Sequence, residues 1–282
     1  MNKKKRTAAL IVWLCLIALL LALIFIVGSP GGERESIREA MRDAVLHETN
    51  KISLLGITEV NSAVVSGFTV TGILLFLALL ARIFLVPRMK EVPGKVQLLL
   101  EELVGFFDRL AKTNSPHRNT FLGAYIFAAG VYVFFGTVFE LFGIQALTTA
   151  GVSVALPAPL ADINGAISLG CLSYLVILGG GVVGDGLHGV GATLKDFSLP
   201  ISMSFRLFGA LLSGLLVTEL VYYYIGLSFV LPVAVGVMFT ILHALIQTYV
   251  LTMLTSLFYG EVSAKSIKKE KIKKKKIRRA RA

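Results

Sequence analysis

Residues 196–209 read Asp196-Phe197-Ser198-Leu199-Pro200-Ile201-Ser202-Met203-Ser204-Phe205-Arg206-Leu207-Phe208-Gly209, and the apolar run they open continues to Tyr224. About twenty apolar residues in a helix cross a hydrocarbon core of roughly 30 Å, so this run is a predicted span. Five similar runs, at 8–27, 64–86, 120–143, 167–183 and 229–259, bring the expected number of spans to six. The whole chain of 282 residues is 55% hydrophobic and 16% charged, with a mean hydropathy of +0.78. That is too apolar for a soluble domain of this size. The expected fold class is all-α: a polytopic membrane protein with about six membrane-spanning helices, the last two forming a long C-terminal helical hairpin.

Arg206 is the anomaly in the quoted stretch. It lies about five residues past Pro200, which puts it roughly 8–12 Å into the membrane, where a guanidinium costs on the order of 2.5–3.5 kcal/mol on the mildest scale. It could snorkel to the inner headgroups, or pair with an acid on a neighbouring helix of the same chain. No acid elsewhere in the spans is an obvious mate, because Glu140 and Glu219 are both expected near the outer side. An unpaired arginine points to a counter-charge supplied by another subunit. Ser202, Gly209, Ala210, Ser213 and Gly214 share its helical face. Small residues on one stripe admit a foreign helix at close range, although ordinary packing within the chain uses them too.

On the last span, Gly236, Thr240, His243 and Gln247 recur at spacings of four, three and four, and the same face continues as Leu251, Leu254 and Phe258. The polar stripe thus covers only the outer half of the span and stops at a depth similar to that expected for Arg206. A wet path ending beside a fixed charge is a half-channel rather than a pore. A lone membrane histidine is often only a packing residue, and the shared stripe is what makes His243 a candidate. Glu219, close to the aromatic Tyr222-Tyr223-Tyr224, joins Glu140 and Asp162 in an acidic outer mouth that would concentrate cations.

The net charge of +11 follows topology. Lysine and arginine cluster at Lys3–Arg6, at Arg82, Arg88, Lys90 and Lys95, at Arg109, Lys112 and Arg118, and from Lys265 to Arg281. These clusters occupy alternate connections, which the positive-inside rule assigns to the cytoplasm of a cell inner (plasma) membrane, with both termini inside if the N-terminal anchor is retained. The tail has no aromatic interleaving and follows a span, so membrane lipid or water is its expected surrounding, and no nucleic acid is expected. The expected segments are an N-terminal anchor or signal peptide at 1–32, an outer segment at 33–63, a membrane domain at 64–260 and a basic cytoplasmic tail at 261–282.

The connections carry less. Residues 33–50 have a helical apolar stripe suited to a short amphipathic surface helix. After Val92-Pro93-Gly94-Lys95, the stripe Val96, Leu99, Leu100, Leu103, Phe107 and Leu110 lies opposite Glu101, Glu102, Asp108, Arg109 and Lys112, as in a helix in the inner membrane interface or docked on a partner helix. The fourth span is expected to loosen at Gly179-Gly180-Gly181 before Asp185, His188 and Lys195. GxxxxGK[ST] is absent, and Cys15 and Cys171 lack metal-site spacing. No catalytic residue, metal or cofactor is expected.

With these residues in hand, the chain resembles the subunit a family of F-type rotary ATP synthases over most of 56–260. The similar stretches are Val92-Pro93-Gly94-Lys95 with Glu102-Leu103-Val104-Gly105-Phe106, Pro159-Leu160-Ala161-Asp162-Ile163-Asn164, the quoted stretch through Arg206, and Gln247-Thr248-Tyr249-Val250-Leu251-Thr252-Met253-Leu254-Thr255. The resemblance implies a stator subunit whose C-terminal hairpin lies against a c-ring, with Arg206 facing the ring and Gln247 near it. It further implies peripheral-stalk b subunits and a soluble catalytic sector as partners, the ATP chemistry belonging to the latter. Proton is the expected ion; a sodium version of the same subunit, or an unrelated transporter holding an anion on Arg206, is the alternative. Three positions depart from the family pattern. The asparagine often four residues after the arginine is Ala210, the ionisable residue often nine after it is Leu215, and the one often seven before the glutamine is Thr240. Glu219, His243 and Glu140 are the candidate substitutes in the outer path.

Overall fold

A computed structural model describes residue 15 and residues 51–54, 58–117, 119–147, 153–223 and 231–280. The predicted first span at 8–27, apart from Cys15, and the predicted surface helix at 33–50 lie outside the described residues. The architecture is all-α and polytopic, as expected. Four helical stretches are long and apolar enough to cross a membrane: Ser62–Arg88, Thr120–Phe142, Ile163–Gly184 and Val233–Ser263.

The first helix, α1 (Ser62–Leu80), begins where the Asn61 side chain accepts a hydrogen bond from the Ala63 amide. It is apolar all round and wears Phe68, Leu75 and Phe76 outward, a pattern that suits lipid contact. It ends by widening into a π turn (Ala81–Leu85) and then tightening into a 3-10 turn (Val86–Arg88) that contains Pro87. Proline cannot continue the hydrogen-bond ladder, so the chain leaves the helix there. Helix α2 (Lys95–Asn114) follows. Its expected apolar stripe is divided: Phe107 is buried and Leu110 half-buried, while Val96 and Leu99 remain exposed.

Helix α3 (Thr120–Phe139) closes in a 3-10 turn (Glu140–Phe142) and then Gly143, whose φ of 57° is a left-handed conformation that favours glycine. Helix α4 spans Ile163–Asp185 and stops at Gly186, at φ 63° and ψ −141°. The short α5 (Leu187–Leu194) leads to α6 (Ser198–Tyr223) and to α7 (Leu231–Ala280).

One expectation needs correction. The fourth span does not loosen at Gly179-Gly180-Gly181, because α4 runs through them to Asp185. A Cβ on Gly180 would sit 2.7 Å from the Tyr259 ring, and one on Gly181 would sit 2.7 Å from Thr193 Oγ1, so these two glycines are close helix contacts. The basic segment after residue 260 continues α7 as helix to Ala280, no proline or glycine following Gly260. The connections between helices also contain strands. Two antiparallel hairpins form, β1 (Lys51–Leu54) with β2 (Thr58–Asn61), and β3 (Gln145–Leu147) with β4 (Ser153–Ala155). Ile52, Phe139 and Leu156 pack with Val70 of α1 in a small apolar cluster beside them.

Helix α7 is the spine: it packs against α2, α3, α4, α5 and α6. The main core gathers Phe107, Leu122, Ile126, Val133, Ile177, Leu207, Leu251 and Tyr259 around it. Glycines set the spacing. A Cβ on Gly130 would come within 2.6 Å of the Phe107 ring and 3.1 Å of Thr252, and one on Gly184 within 3.0 Å of the Val262 carbonyl. Polar ties reinforce the packing: Asn114 Nδ2 donates to Ser256 Oγ at 2.7 Å, Ser256 Oγ to the Leu110 carbonyl at 3.2 Å, and Tyr125 OH meets Ser173 Oγ at 2.8 Å.

Candidate ion-translocation site

Helix α6 divides its residues sharply. Met203, Ser204, Leu207 and Leu211 are buried against the body of the protein, whereas Ser202, Phe205, Arg206, Gly209 and Ser213 are exposed. Ala210 and Gly214 are intermediate and border the two faces. The stripe of small residues therefore flanks an outward arginine. A Cβ on Gly209 would meet nothing within 4 Å, so this face is open. Ser213 Oγ donates to the Ala210 carbonyl at 2.8 Å, which satisfies its hydroxyl within the helix. Among the described residues, the Arg206 guanidinium has no hydrogen bond and no ion pair, whereas Arg109 pairs with Glu102 and Lys112 with Asp108.

Helix α7 runs back beside α6. Its polar stripe is partly exposed at Gly236, Thr240 and His243, becomes buried at Gln247, and continues into buried Leu251. His243 Nδ1 lies 2.8 Å from the Phe239 carbonyl, and its ring stacks on Phe239 at 5.8 Å. A Cβ on Gly214 would be 3.9 Å from His243 Nδ1, which fixes the register of the antiparallel pair. One turn further along each helix, Gln247 falls level with Ala210, about 6 Å along the axis from the level of Arg206. Gln247 is 6% exposed and its Oε1 is buried with no hydrogen-bond partner. A buried amide carbonyl left unpaired costs about 1–3 kcal/mol. Alanine at 210 offers it no donor.

The acids are distributed differently. Asp162 caps α4: its Oδ1 accepts from the Asn164 amide at 2.9 Å and from Asn164 Nδ2 at 3.2 Å, and its Oδ2 accepts from Asn61 Nδ2 at 2.9 Å. It thereby ties the start of α4 to the start of α1. The Asn61 contribution was not read from the sequence; an Asn directly before an apolar run was the available signal. The turn before it, Pro159–Ala161, touches α1, α3, α4 and α6. Glu140 is half-buried at the end of α3, in a turn that packs against α7. Glu219 lies on α6, about one turn before its end, and its side chain is outside the described residues. The structure thus brings Thr240, His243 and Gln247 along α7 beside α6, while Asp162 is engaged in a separate network. Among the described residues no group of His, Cys, Asp and Glu could hold a metal ion.

This arrangement has one fixed cation on an open face and a polar stripe on the neighbouring helix that ends about one turn from its level. It can repel, attract or discharge an ion that passes. The sequence model described as ATP synthase A chain matches residues 65–260. The chain is similar to the ATP synthase subunit a of Cereibacter sphaeroides, with 26% identity over 183 residues that cover 61% of this chain and 70% of that protein. It is also similar to the ATP synthase subunit a of Acidothermus cellulolyticus, with 26% identity over 243 residues, or 79% of this chain and 83% of that protein. The matched span runs from the first turn of α1 to Gly260 in α7, and the chain belongs to the ATP synthase A chain family.

Proposed function

We propose that this multi-pass membrane protein, an ion-translocating stator subunit, passes protons to and from a carboxylate on a rotating c-ring, with Arg206 as the charge that separates two offset half-channels. The observation that carries this reading is an exposed guanidinium, without a partner among the described residues, on a face of small side chains. Such a charge in a membrane needs a counter-charge that the described part of the chain does not supply. Ser202, Gly209, Ala210, Ser213 and Gly214 give a ring helix room to pass beside it.

Arginine suits the task because its delocalised guanidinium stays charged when desolvated, whereas lysine can lose its proton. A ring carboxylate nearing Arg206 is driven to ionise and releases its proton before it passes. On the other side it is recharged through the stripe Thr240, His243 and Gln247, fed by an outer mouth to which Glu140, Glu219 and Asp162 lend negative charge. The membrane potential contributes about 2.3 kcal/mol per charge per 100 mV across the two paths. Peripheral-stalk b subunits hold the chain against the turning ring, and the soluble sector performs the ATP chemistry.

The test is Arg206→Ala in the assembled complex. ATP-driven proton pumping by membrane vesicles should disappear while the c-ring and the stalk still copurify with the variant. Coupled pumping at the wild-type rate in assembled Arg206→Ala complexes would end the proposal.

A further inference from the structure

Where α1 ends and α2 begins, a cavity of about 680 Å³ opens that plays no part in the ion path. Arg88, Lys90 and Lys95 line it together with Phe84, Val92 and Val96. All six side chains are exposed, and among the described residues none of the three cations has a hydrogen-bond or ion-pair partner. The other two basic residues of α2 are different: Arg109 is paired with Glu102 and Lys112 with Asp108. The rim is held in place. Gln97 Nε2 donates to the Lys90 carbonyl at 2.8 Å, and Gln97 Oε1 accepts from the Lys90 amide at 3.1 Å, so the connecting loop is clamped to the first turn of α2 from both sides. Gln97 also donates to Glu101 at 2.6 Å, which directs that carboxylate toward Gln97; Glu91, exposed in the loop, is the other acid nearby. Gly94 precedes α2 with no side chain capping its free amides.

From this geometry we propose that the cavity binds the phosphate headgroup of an anionic membrane lipid. Three unpaired cations surround the headgroup, the uncapped first turn of α2 adds its amides, and the exposed Phe84, Val92 and Val96 cover the upper acyl chains. The place is right for such a ligand, because the apolar α1 ends here and the exposed apolar residues of α2 begin. Each basic residue near an anionic membrane surface is worth about 1 kcal/mol. Neither the passage of ions nor the role of Arg206 enters the argument.

The test uses the full chain in zwitterionic detergent and counts retained lipid by native mass spectrometry during titration with phosphatidylglycerol, phosphatidylcholine and inorganic phosphate. Phosphatidylglycerol should be retained in preference to phosphatidylcholine. The double variant Arg88→Gln/Lys90→Gln should weaken that retention on the order of thirtyfold. The charge-matched control Arg109→Gln/Lys112→Gln should retain it within about twofold, since those cations already have partners. Unchanged retention by the first variant, or equal loss by the control, overturns the proposal. Saturation by inorganic phosphate with no preference for phosphatidylglycerol overturns the lipid assignment. A measurement on the wild-type chain needs no variant to fold: raising ammonium acetate should erode the preference for phosphatidylglycerol over phosphatidylcholine, and a preference that salt leaves unchanged overturns the proposal.

Discussion

Gln247→Leu is expected to move stability and function in opposite directions. The Gln247 carboxamide is 6% exposed, and its Oε1 is buried without a donor. Leucine nearly matches glutamine in volume and carries no polar atom, so the substitution removes an unpaired carbonyl at no cost in packing. Relief of a penalty of about 1–3 kcal/mol should raise the stability of the isolated chain by roughly 1–2 kcal/mol. Under the proposed function the same amide would hydrogen-bond a ring carboxyl or the Arg206 guanidinium in the complex. A bond to a charged group is worth about 1.5–3 kcal/mol, so proton pumping should slow by roughly ten- to a hundredfold. Stability is read from unfolding of the purified chain in mixed micelles, and pumping from a pH-sensitive dye in vesicles of assembled complex. A less stable Gln247→Leu chain would show that the amide is satisfied within the protein. Pumping within twofold of wild type would remove Gln247 from the ion path.

In the ion path, His243→Ala and Glu219→Gln should each slow passive proton flux through vesicles stripped of the soluble sector; unaltered flux and pH dependence in both would dismiss them as the outer lining. Gly130→Val should destabilise the chain by about 1–3 kcal/mol, because its branches would meet the Phe107 ring and Thr252, and thermal unfolding in detergent measures this. Asp162→Ala should cost about 1–2 kcal/mol through loss of the α4 cap and the Asn61 tie, with Asn61→Ala removing a smaller share. The chain alone in liposomes should transport no anion, and uptake by it would favour a transporter that holds its substrate on Arg206.

Membrane class and the Arg206 face were legible because they rest on strong local signals: length of apolar run, an ionisable residue in lipid, and small residues at helical spacing. The stripe on α7 was legible for the same reason, since Gly236, Thr240, His243 and Gln247 obey one period. The β hairpins were not, because strands of three or four residues carry too few alternations to register. The glycines of α4 read as a loosening, yet a missing side chain also lets another helix come near, and only the partner Tyr259 decides between the two. The helical course of α7 after Gly260 was hidden because like charges at i and i+4 oppose an isolated helix. The engagement of Asp162 depended on Asn61, 101 residues earlier, and long-range polar pairs leave no local trace.

The glycine contacts of the spine have a mechanical meaning. A stator must resist the sideways thrust of the rotor it drives, and any soft layer within it would waste that thrust as recoil. Helix α7 is keyed to α3 at Gly130 and to α4 at Gly180 and Gly184, with backbones and rings in near contact instead of long flexible side chains. Close-packed interiors have low compressibility. Under the proposed function, force applied on the α6 face would be handed across the hairpin to the rest of the body with little give, and the site beside Arg206 would keep its shape under load.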